Sequence, residues 1–348
     1  MTSLLDCCYP LVRPLLFSLN PEKSHELTLR LLARSPSALG SVLQALHGPI
    51  PAGLERTVMG LPFKSPIGLA AGLDKDGIAL PFWPSLGFGF VEIGTVTALA
   101  QPGNPTPRLF RYPQQGALIN RMGFNNQGSA ALADRLRTMK QRDRWPSIPV
   151  GVNIGKSKVT PIEEAVQDYV TSATRLAHLA DYITINVSSP NTPDLRSLQQ
   201  EEHLKRLLPA VLKAAQGTPV ALKLSPDLQE EALAAIVELA CSLKLGAIIA
   251  TNTTTSRTGL PAAKDEAGGL SGRPLWPRSS GVVLKTLEFA RQRVPVIGVG
   301  GIETATQVQQ LLDAGCAAIQ LYTAFIFHGP GLPARLAQQL AQQTDNDT

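Results

Sequence analysis

The apolar positions along this chain follow two rhythms. Near the amino terminus, Leu4, Cys8, Leu11, Val12, Leu15 and Leu19 recur at three- and four-residue spacings, which places them on one helical face. Pro10 and Pro14 fall inside the stripe and predict a short or kinked helix. Asn20-Pro21-Glu22 then reads as the cap, first-turn proline and early acid of a second helix. That helix carries Leu27 and Leu31, with His25, Leu29 and Leu32 on a neighbouring face. Two amphipathic helices so rich in leucine either close a core or lie at a lipid interface, and the pattern leaves both open.

From Pro66 onward the rhythm changes. Short apolar runs occupy 67–72, 90–97, 149–155, 182–189, 219–225, 247–253, 295–301 and 317–323. They lack polar alternation, as strands buried on both faces do. Helical patterns at 160–180, 201–215, 228–243, 279–291 and 304–314 separate several of them. Eight such runs predict an α/β chain folded as a (β/α)8 TIM barrel, 51–340, behind a small helical unit, 1–50. A doubly wound open sheet is the alternative, weakened because no GxGxxG follows an early strand. Two inter-strand segments, 98–146 and 254–277, are too long for ordinary loops and are expected to carry function or act as lids. The uncharged stretch 314–334 contains Gln320, His328, Gly329, Pro330 and Pro333, so it reads as a strand, a turn and a helix start rather than a membrane span.

Composition narrows the function. With 348 residues, 44% hydrophobic and 17% charged, the chain can bury a large core and is not a disordered one. A net charge of +5 without a basic block gives little reason to expect a nucleic-acid partner. Cys7, Cys8, Cys241 and Cys316 form no CxxC pair, and the five histidines show no ligand spacing. No metal centre is therefore expected, and the compartment is expected to be reducing. Asp6 stands where a secretory signal would need a basic region.

In a barrel the chemistry gathers at the carboxyl ends of the strands. Those ends read Ala71-Gly72-Leu73-Asp74-Lys75, Gly94-Thr95, Asn153, Asn186 through Asn191, Lys223, Thr251-Asn252-Thr253, Gly300-Gly301 and Tyr322-Thr323. Any one asparagine or threonine could simply cap a helix. Together, amides and hydroxyls with almost no carboxylates suit a flat ring with several heteroatoms, such as a flavin or a pyrimidine. Gly298-Val299-Gly300-Gly301 follows the seventh strand, where barrels hold phosphate. Lys223 sits inside the apolar run Val220-Ala221-Leu222-Lys223-Leu224. A cation there needs an anionic partner, such as the N1/O2 edge of a reduced flavin.

These motifs carry a family resemblance. GLAAGLDKDG (68–77), EIGTVT (92–97), INRMGFNN (119–126), INVSSPNTPDLR (185–196), LKLSPD (222–227), GGLSGRPL (268–275), IGVGGI (297–302) and QLYTAFIF (320–327) together resemble the dihydroorotate dehydrogenase family, in its quinone-linked class 2. The resemblance implies oxidation of (S)-dihydroorotate to orotate in pyrimidine biosynthesis. It implies one non-covalent FMN per chain as hydride acceptor and a membrane quinone as final oxidant. Ser189 matches the catalytic base, Thr192 a water-linked relay to it, and Phe124 a wall of the site. The soluble class 1 enzymes use a cysteine as base and lack the amino-terminal extension. The implied cofactor residues are Ala71, Gly72, Leu73, Asp74, Lys75, Thr95, Asn153, Asn186, Lys223, Thr251, Gly272, Gly301, Tyr322 and Thr323. The implied substrate residues are Lys75, Asn120, Arg121, Met122, Gly123, Phe124, Asn186, Asn191, Asn252 and Thr253. His25, Arg111 and Tyr322 match the inner end of a quinone route between the amino-terminal helices, which favours a lipid-facing mouth over plain core packing there. A monomer attached peripherally to the cytoplasmic face of a bacterial cell membrane is expected. Cys7-Cys8 and the polar tail 342–348 have no counterpart in the resemblance.

Overall fold

The computed structural model describes residues 4–35, 37–192, 194–261 and 266–346. Pro193 of the INVSSPNTPDLR motif and 262–265 of the second long segment lie outside them. Eight parallel strands close a barrel: β1 (Ile67–Leu69), β2 (Phe90–Thr97), β3 (Val150–Gly155), β4 (Tyr182–Asn186), β5 (Val220–Leu224), β6 (Ala247–Ala250), β7 (Val296–Val299) and β8 (Ala318–Leu321). Each strand neighbours the next in sequence, and β8 closes onto β1. The open-sheet alternative is thereby excluded. Every position of all eight strands is buried, which explains the missing polar alternation.

The strands stop earlier than the apolar runs. The run 182–189 leaves the ladder after Asn186, 247–253 after Ala250 and 317–323 after Leu321. Most of the following residues remain shielded at the barrel mouth, so hydropathy alone cannot mark where pairing ends. Those extra residues carry most of the candidate chemistry.

The surrounding helices match the expected pattern with two exceptions. Glu201–Ala215 coincides with it, and Ala305–Asp313 opens on a Thr304–Gln307 capping box. After β1, however, the chain forms only the short 3-10 stretch Leu80–Leu86. A helix, Gly128–Gln141, lies inside the long segment 98–146. The rest of that segment supplies Leu109–Tyr112 and Ala117–Asn120, which pair with Gly269–Gly272 in a three-stranded antiparallel sheet. The two long segments thus meet each other beside the barrel mouth, and Asn120, Ser271 and Gly272 reach the cavity there.

Three helices precede the barrel: α1 (Leu4–Ser18), α2 (Pro21–Arg34) and α3 (Ser37–His47). Of the expected short or kinked α1, the short form is overturned, because the helix runs for 15 residues through Pro10 and Pro14. Tertiary bonds hold it where local propensity would not. Tyr9 Oη donates to the Ile326 carbonyl at 2.6 Å, Arg13 to that of Phe327 at 3.2 Å, and Arg335 pairs with Asp6. Helix α2 begins as expected, with the Asn20 side chain accepting from the amides of Glu22 and Lys23. The third helix is an addition to the two expected. His47 at its end bonds the carbonyls of Gly48 and Ser85. Of eleven exposed large apolar side chains among the described residues, eight lie between Leu11 and Val42, with Leu11 at 80% and Leu15 at 69% exposure. No described helix is long and apolar enough to cross a membrane.

Candidate active site and an adjoining apolar cavity

The carboxyl ends of the strands surround a cavity that is partly open to solvent. The barrel brings Ala71, Gly72, Lys75, Thr95, Asn186, Lys223, Thr251, Gly272, Gly301, Tyr322 and Thr323 to its lining. Asn120, Met122, Gly123, Phe124, Asn191, Asn252 and Thr253 line it as well. The amides hold one another in place. Asn186 Nδ2 donates to Thr95 Oγ1 at 2.9 Å, and Thr95 Oγ1 donates to Asn153 Oδ1 at 2.5 Å. Asn252 Nδ2 donates to Ser188 Oγ at 3.0 Å, and Asn191 Nδ2 to Asn120 Oδ1 at 3.0 Å. A site fixed in this way binds a polar ring without a large ordering cost.

Two glycines make a close approach possible. Gly272 has φ +92°, and a Cβ there would lie 2.1 Å from the Gly116 carbonyl oxygen. Gly301 has φ +68°, and its Cβ would meet the Trp276 nitrogen at 2.5 Å. Both conditions exclude a side chain.

Six expected residues do not line this cavity. Leu73 faces the second cavity described below. Asp74 is fully buried and spent on structure: it accepts from the amides of Ile78 and Ala79 at 2.8 and 2.9 Å and from Trp83 Nε1 at 3.1 Å. Asn153 supports Thr95 from beneath. Arg121 pairs with Glu266 at 3.0 Å and stacks over Phe110. The side chains of Leu73, Asp74 and Arg121 thus point to other partners than this cavity. Ser189 and Thr192 are buried in the loop between the lining residue Asn186 and the helix Glu201–Ala215. Ser189 Oγ accepts from the Asn191 amide at 3.3 Å, and Thr192 Oγ1 is buried without a hydrogen-bond partner among the described residues.

Charge is sparse but pointed. Lys223 is buried, and desolvation pulls its ammonium below the ordinary lysine value, with Glu92 acting in the opposite direction. Burial also pulls Lys75 down, to about 8. Arg196, which sequence reasoning left without a role, ties three loops together. Its guanidinium donates to the Ser188 carbonyl at 3.1 Å, Asp227 at 2.9 Å and the Thr253 carbonyl at 3.0 Å. Burial alone would raise the Asp227 carboxyl. Hydrogen bonds from Thr254 and Thr255 and the Arg196 charge outweigh it and hold the group below its usual value. Also missed were Ser271, which accepts from Thr323 Oγ1 at 2.8 Å, and the barrel-floor pair Glu92 and Gln320.

The lining fits a flavin. Thr253 Oγ1 and Gln320 Oε1 are buried without a hydrogen-bond partner among the described residues, and both residues line the cavity, where a polar ring would satisfy them. Lys223 supplies a cation, and Gly272, Gly301 and Thr323 line the same cavity.

A second cavity, with about 1370 Å³ of empty space, lies between the amino-terminal helices and the barrel. Its lining is largely apolar, with Leu16, Phe17, Leu29 and Trp83 among its walls. His25 and Arg111 line it too, and Tyr322 lines both cavities. The Arg111 guanidinium bonds the carbonyls of Leu16 and Leu19 and stands 4.4 Å from the Phe17 ring centre. Burial, aided by the Lys75 charge, lowers His25 to about 3, so its imidazole is neutral through the physiological range. Folding therefore disfavours the His25 proton. The stability this residue contributes is complete above the unfolded value near 6.5 and is lost as pH falls toward 3. His25→Asn is expected to narrow the fall in melting temperature between pH 7 and pH 5. An unchanged fall would show that His25 does not resist protonation.

Comparison with known proteins places these features. The sequence profile of the dihydroorotate dehydrogenase family matches residues 53–343. A dihydroorotate dehydrogenase (quinone) of Salinispora arenicola is 50% identical over 331 residues, 92% of this chain and 95% of that protein. The protein of the same name from Paraburkholderia phymatum is 47% identical over 96% of this chain and 98% of its own. A crystal structure of DHODH from Eimeria tenella in complex with ferulenol superposes with a TM-score of 0.85 at 33% identity, covering 96% of this chain and 95% of that one.

Proposed function

The chain belongs to the dihydroorotate dehydrogenase family, and from that premise we propose how its two cavities divide the work. The protein oxidises dihydroorotate to orotate and passes the electrons to a quinone, a step of pyrimidine biosynthesis. The observation that carries this reading is the sharing of Tyr322 between a polar cavity and an apolar one: one accepts a hydrophilic ring, the other a lipid-soluble oxidant.

The family's flavin is here FMN, one per chain and not covalently bound, and it supplies the hydride acceptor. Gly272, Gly301, Tyr322 and Thr323 hold its phosphate and ribityl end. Ala71, Gly72, Thr95, Asn186, Lys223 and Thr251 flank its ring. Lys75, Asn120, Asn191, Asn252 and Thr253 bind the carboxylate and ring amides of the (S)-substrate, with Met122, Gly123 and Phe124 as walls. Ser189 removes the proton at C5 while hydride leaves C6. A serine hydroxyl is a weak base and needs a path for the proton. Thr192 Oγ1, buried without a partner among the described residues, offers one through a bridging water. Donors already fixed around the ring stabilise the charge that develops on it.

The quinone enters the apolar cavity and meets His25, Arg111 and Tyr322 at its inner end. Residues 1–50 form this acceptor unit and 51–340 the catalytic barrel. The exposed leucines between Leu11 and Val42 support peripheral attachment to a membrane; the cytoplasmic face of a bacterial cell membrane and a monomeric protein complete the proposal. The substrate assignment is tested under anaerobic conditions. Dihydroorotate is expected to bleach the flavin absorbance, whereas dihydrouracil, which lacks the carboxylate, leaves it unchanged. Equal bleaching by both would reject the assignment.

A further inference from the structure

Two loops carry residues read as the substrate site, and one side chain outside that site joins them. Asn120, Met122, Gly123 and Phe124 come from the long segment between β2 and β3, and Asn191 from the loop after β4. Asn104 belongs to the same long segment, in the turn before the strand Leu109–Tyr112, and is not among the residues lining the cavity. Its Nδ2 donates to the Arg121 carbonyl at 3.0 Å and to the Asn191 carbonyl at 3.1 Å. Its Oδ1 accepts from Lys158 Nζ, in the loop after β3, at 3.1 Å. These partners fix the orientation of the amide, because two carbonyls require its nitrogen and an ammonium requires its oxygen.

The backbone of the turn is secured as well. The Asn104 N–H donates to the Met122 carbonyl at 3.0 Å, and the Asn104 carbonyl accepts from Arg108 Nη1 at 2.8 Å. Gly123 shows how close the side-chain contact is. Its φ is +70°, and a Cβ there would stand 2.7 Å from Asn104 Cγ, 2.8 Å from Nδ2 and 2.9 Å from Oδ1. The whole carboxamide therefore lies against the bare backbone of a residue that lines the cavity. A shift of this amide would reach Gly123 directly and the Asn191 carbonyl with it. The two loops meet a second time, through Asn191 Nδ2 and Asn120 Oδ1 at 3.0 Å. That bond joins side chains that the substrate itself must engage, whereas the Asn104 link can persist while the site is filled.

We propose that Asn104 is a positioning residue for the substrate site: by holding the carbonyls of Arg121 and Asn191 on one amide, it sets the spacing of the two loops and thereby the affinity for dihydroorotate and orotate. Resting on the substrate reading of the cavity, this role adds a residue that touches neither substrate nor cofactor. Proton removal is not its task, since the loop of Ser189 is tied separately, through the Ser188 carbonyl, to Arg196.

The test is Asn104→Asp in the holoenzyme. That replacement keeps the shape against Gly123 and withdraws both donors, so two carbonyls face an acceptor-only group. Orotate binding, followed by the change it makes in flavin absorbance, is expected to weaken about 10–100-fold, the cost of leaving two shielded carbonyls without a donor. In stopped-flow reduction the half-saturating dihydroorotate concentration should rise by a similar factor. The limiting rate should stay within about threefold of wild type, the pattern of lost binding and not of lost chemistry. Asn104→Ala adds no charge that could repel the anionic substrate; it is expected to weaken binding likewise, and it decides alone if the first variant does not fold. The effect should also pass through Asn191, so that in an Asn191→Ala background Asn104→Ala costs about threefold or less. Wild-type orotate affinity in Asn104→Ala would overturn the proposal, as would an undiminished cost in the Asn191→Ala background or a fall confined to the limiting rate. A flavoprotein whose spectrum does not respond to orotate overturns the substrate reading, whereas orotate binding indifferent to Asn104 overturns the role of Asn104 alone.

Discussion

Replacing Ser189 by alanine should leave the flavin bound and slow its reduction by dihydroorotate at neutral pH by about 10²–10⁴-fold, the usual contribution of a positioned base. None of the flavin contacts is assigned to Ser189, so its loss is expected to leave the cofactor bound. Its hydroxyl is buried beside the Asn191 amide, and the loop that carries it is anchored independently by Arg196. The effect should therefore fall on proton removal and not on binding. Stopped-flow absorbance reads it directly, because flavin bleaching reports the first half-reaction alone. Reduction at the wild-type rate would remove Ser189 from the chemistry.

Deleting residues 1–47 should have the opposite selectivity. The polar cavity draws none of its lining from α1, α2 or α3, while the apolar cavity takes Leu16, Phe17, His25, Leu29 and others from them. Reduction by dihydroorotate is expected to persist at near the full rate. Turnover with a long-chain quinone should fall by roughly a hundredfold or more, because the oxidant loses the walls that position it. Retained flavin bleaching serves as the control that the barrel is still folded. Equal quinone turnover would reject the apolar cavity as the acceptor site.

What the sequence revealed and what it hid divide along a physical line. The barrel strands were legible because full burial imposes continuous apolar runs of characteristic length. Their ends were less so, because loop residues such as Val187 and Ser189 are as buried as the strand before them. Helix α3 and the full length of α1 were missed or misjudged because long-range bonds to Ser85, Ile326 and Phe327 support them. The three-stranded sheet escaped notice because Asn120 and Gly269 are 149 residues apart. Glu92 was visible inside EIGTVT, yet its partners stand 61 to 228 residues away, and no local pattern reports such a convergence. The candidate binding residues came from the family resemblance. The structure then distinguished those whose side chains reach the cavity from those, such as Asp74, already committed elsewhere.

The central claim is that two cavities meeting at Tyr322 perform two successive half-reactions. It is tested most directly by one anaerobic titration that follows flavin absorbance. Stoichiometric dihydroorotate should bleach the protein, and a subsequent equivalent of quinone should restore the oxidised spectrum, while NAD offered in its place should not. A bleached protein that quinone leaves reduced, or that NAD reoxidises equally well, would contradict the account.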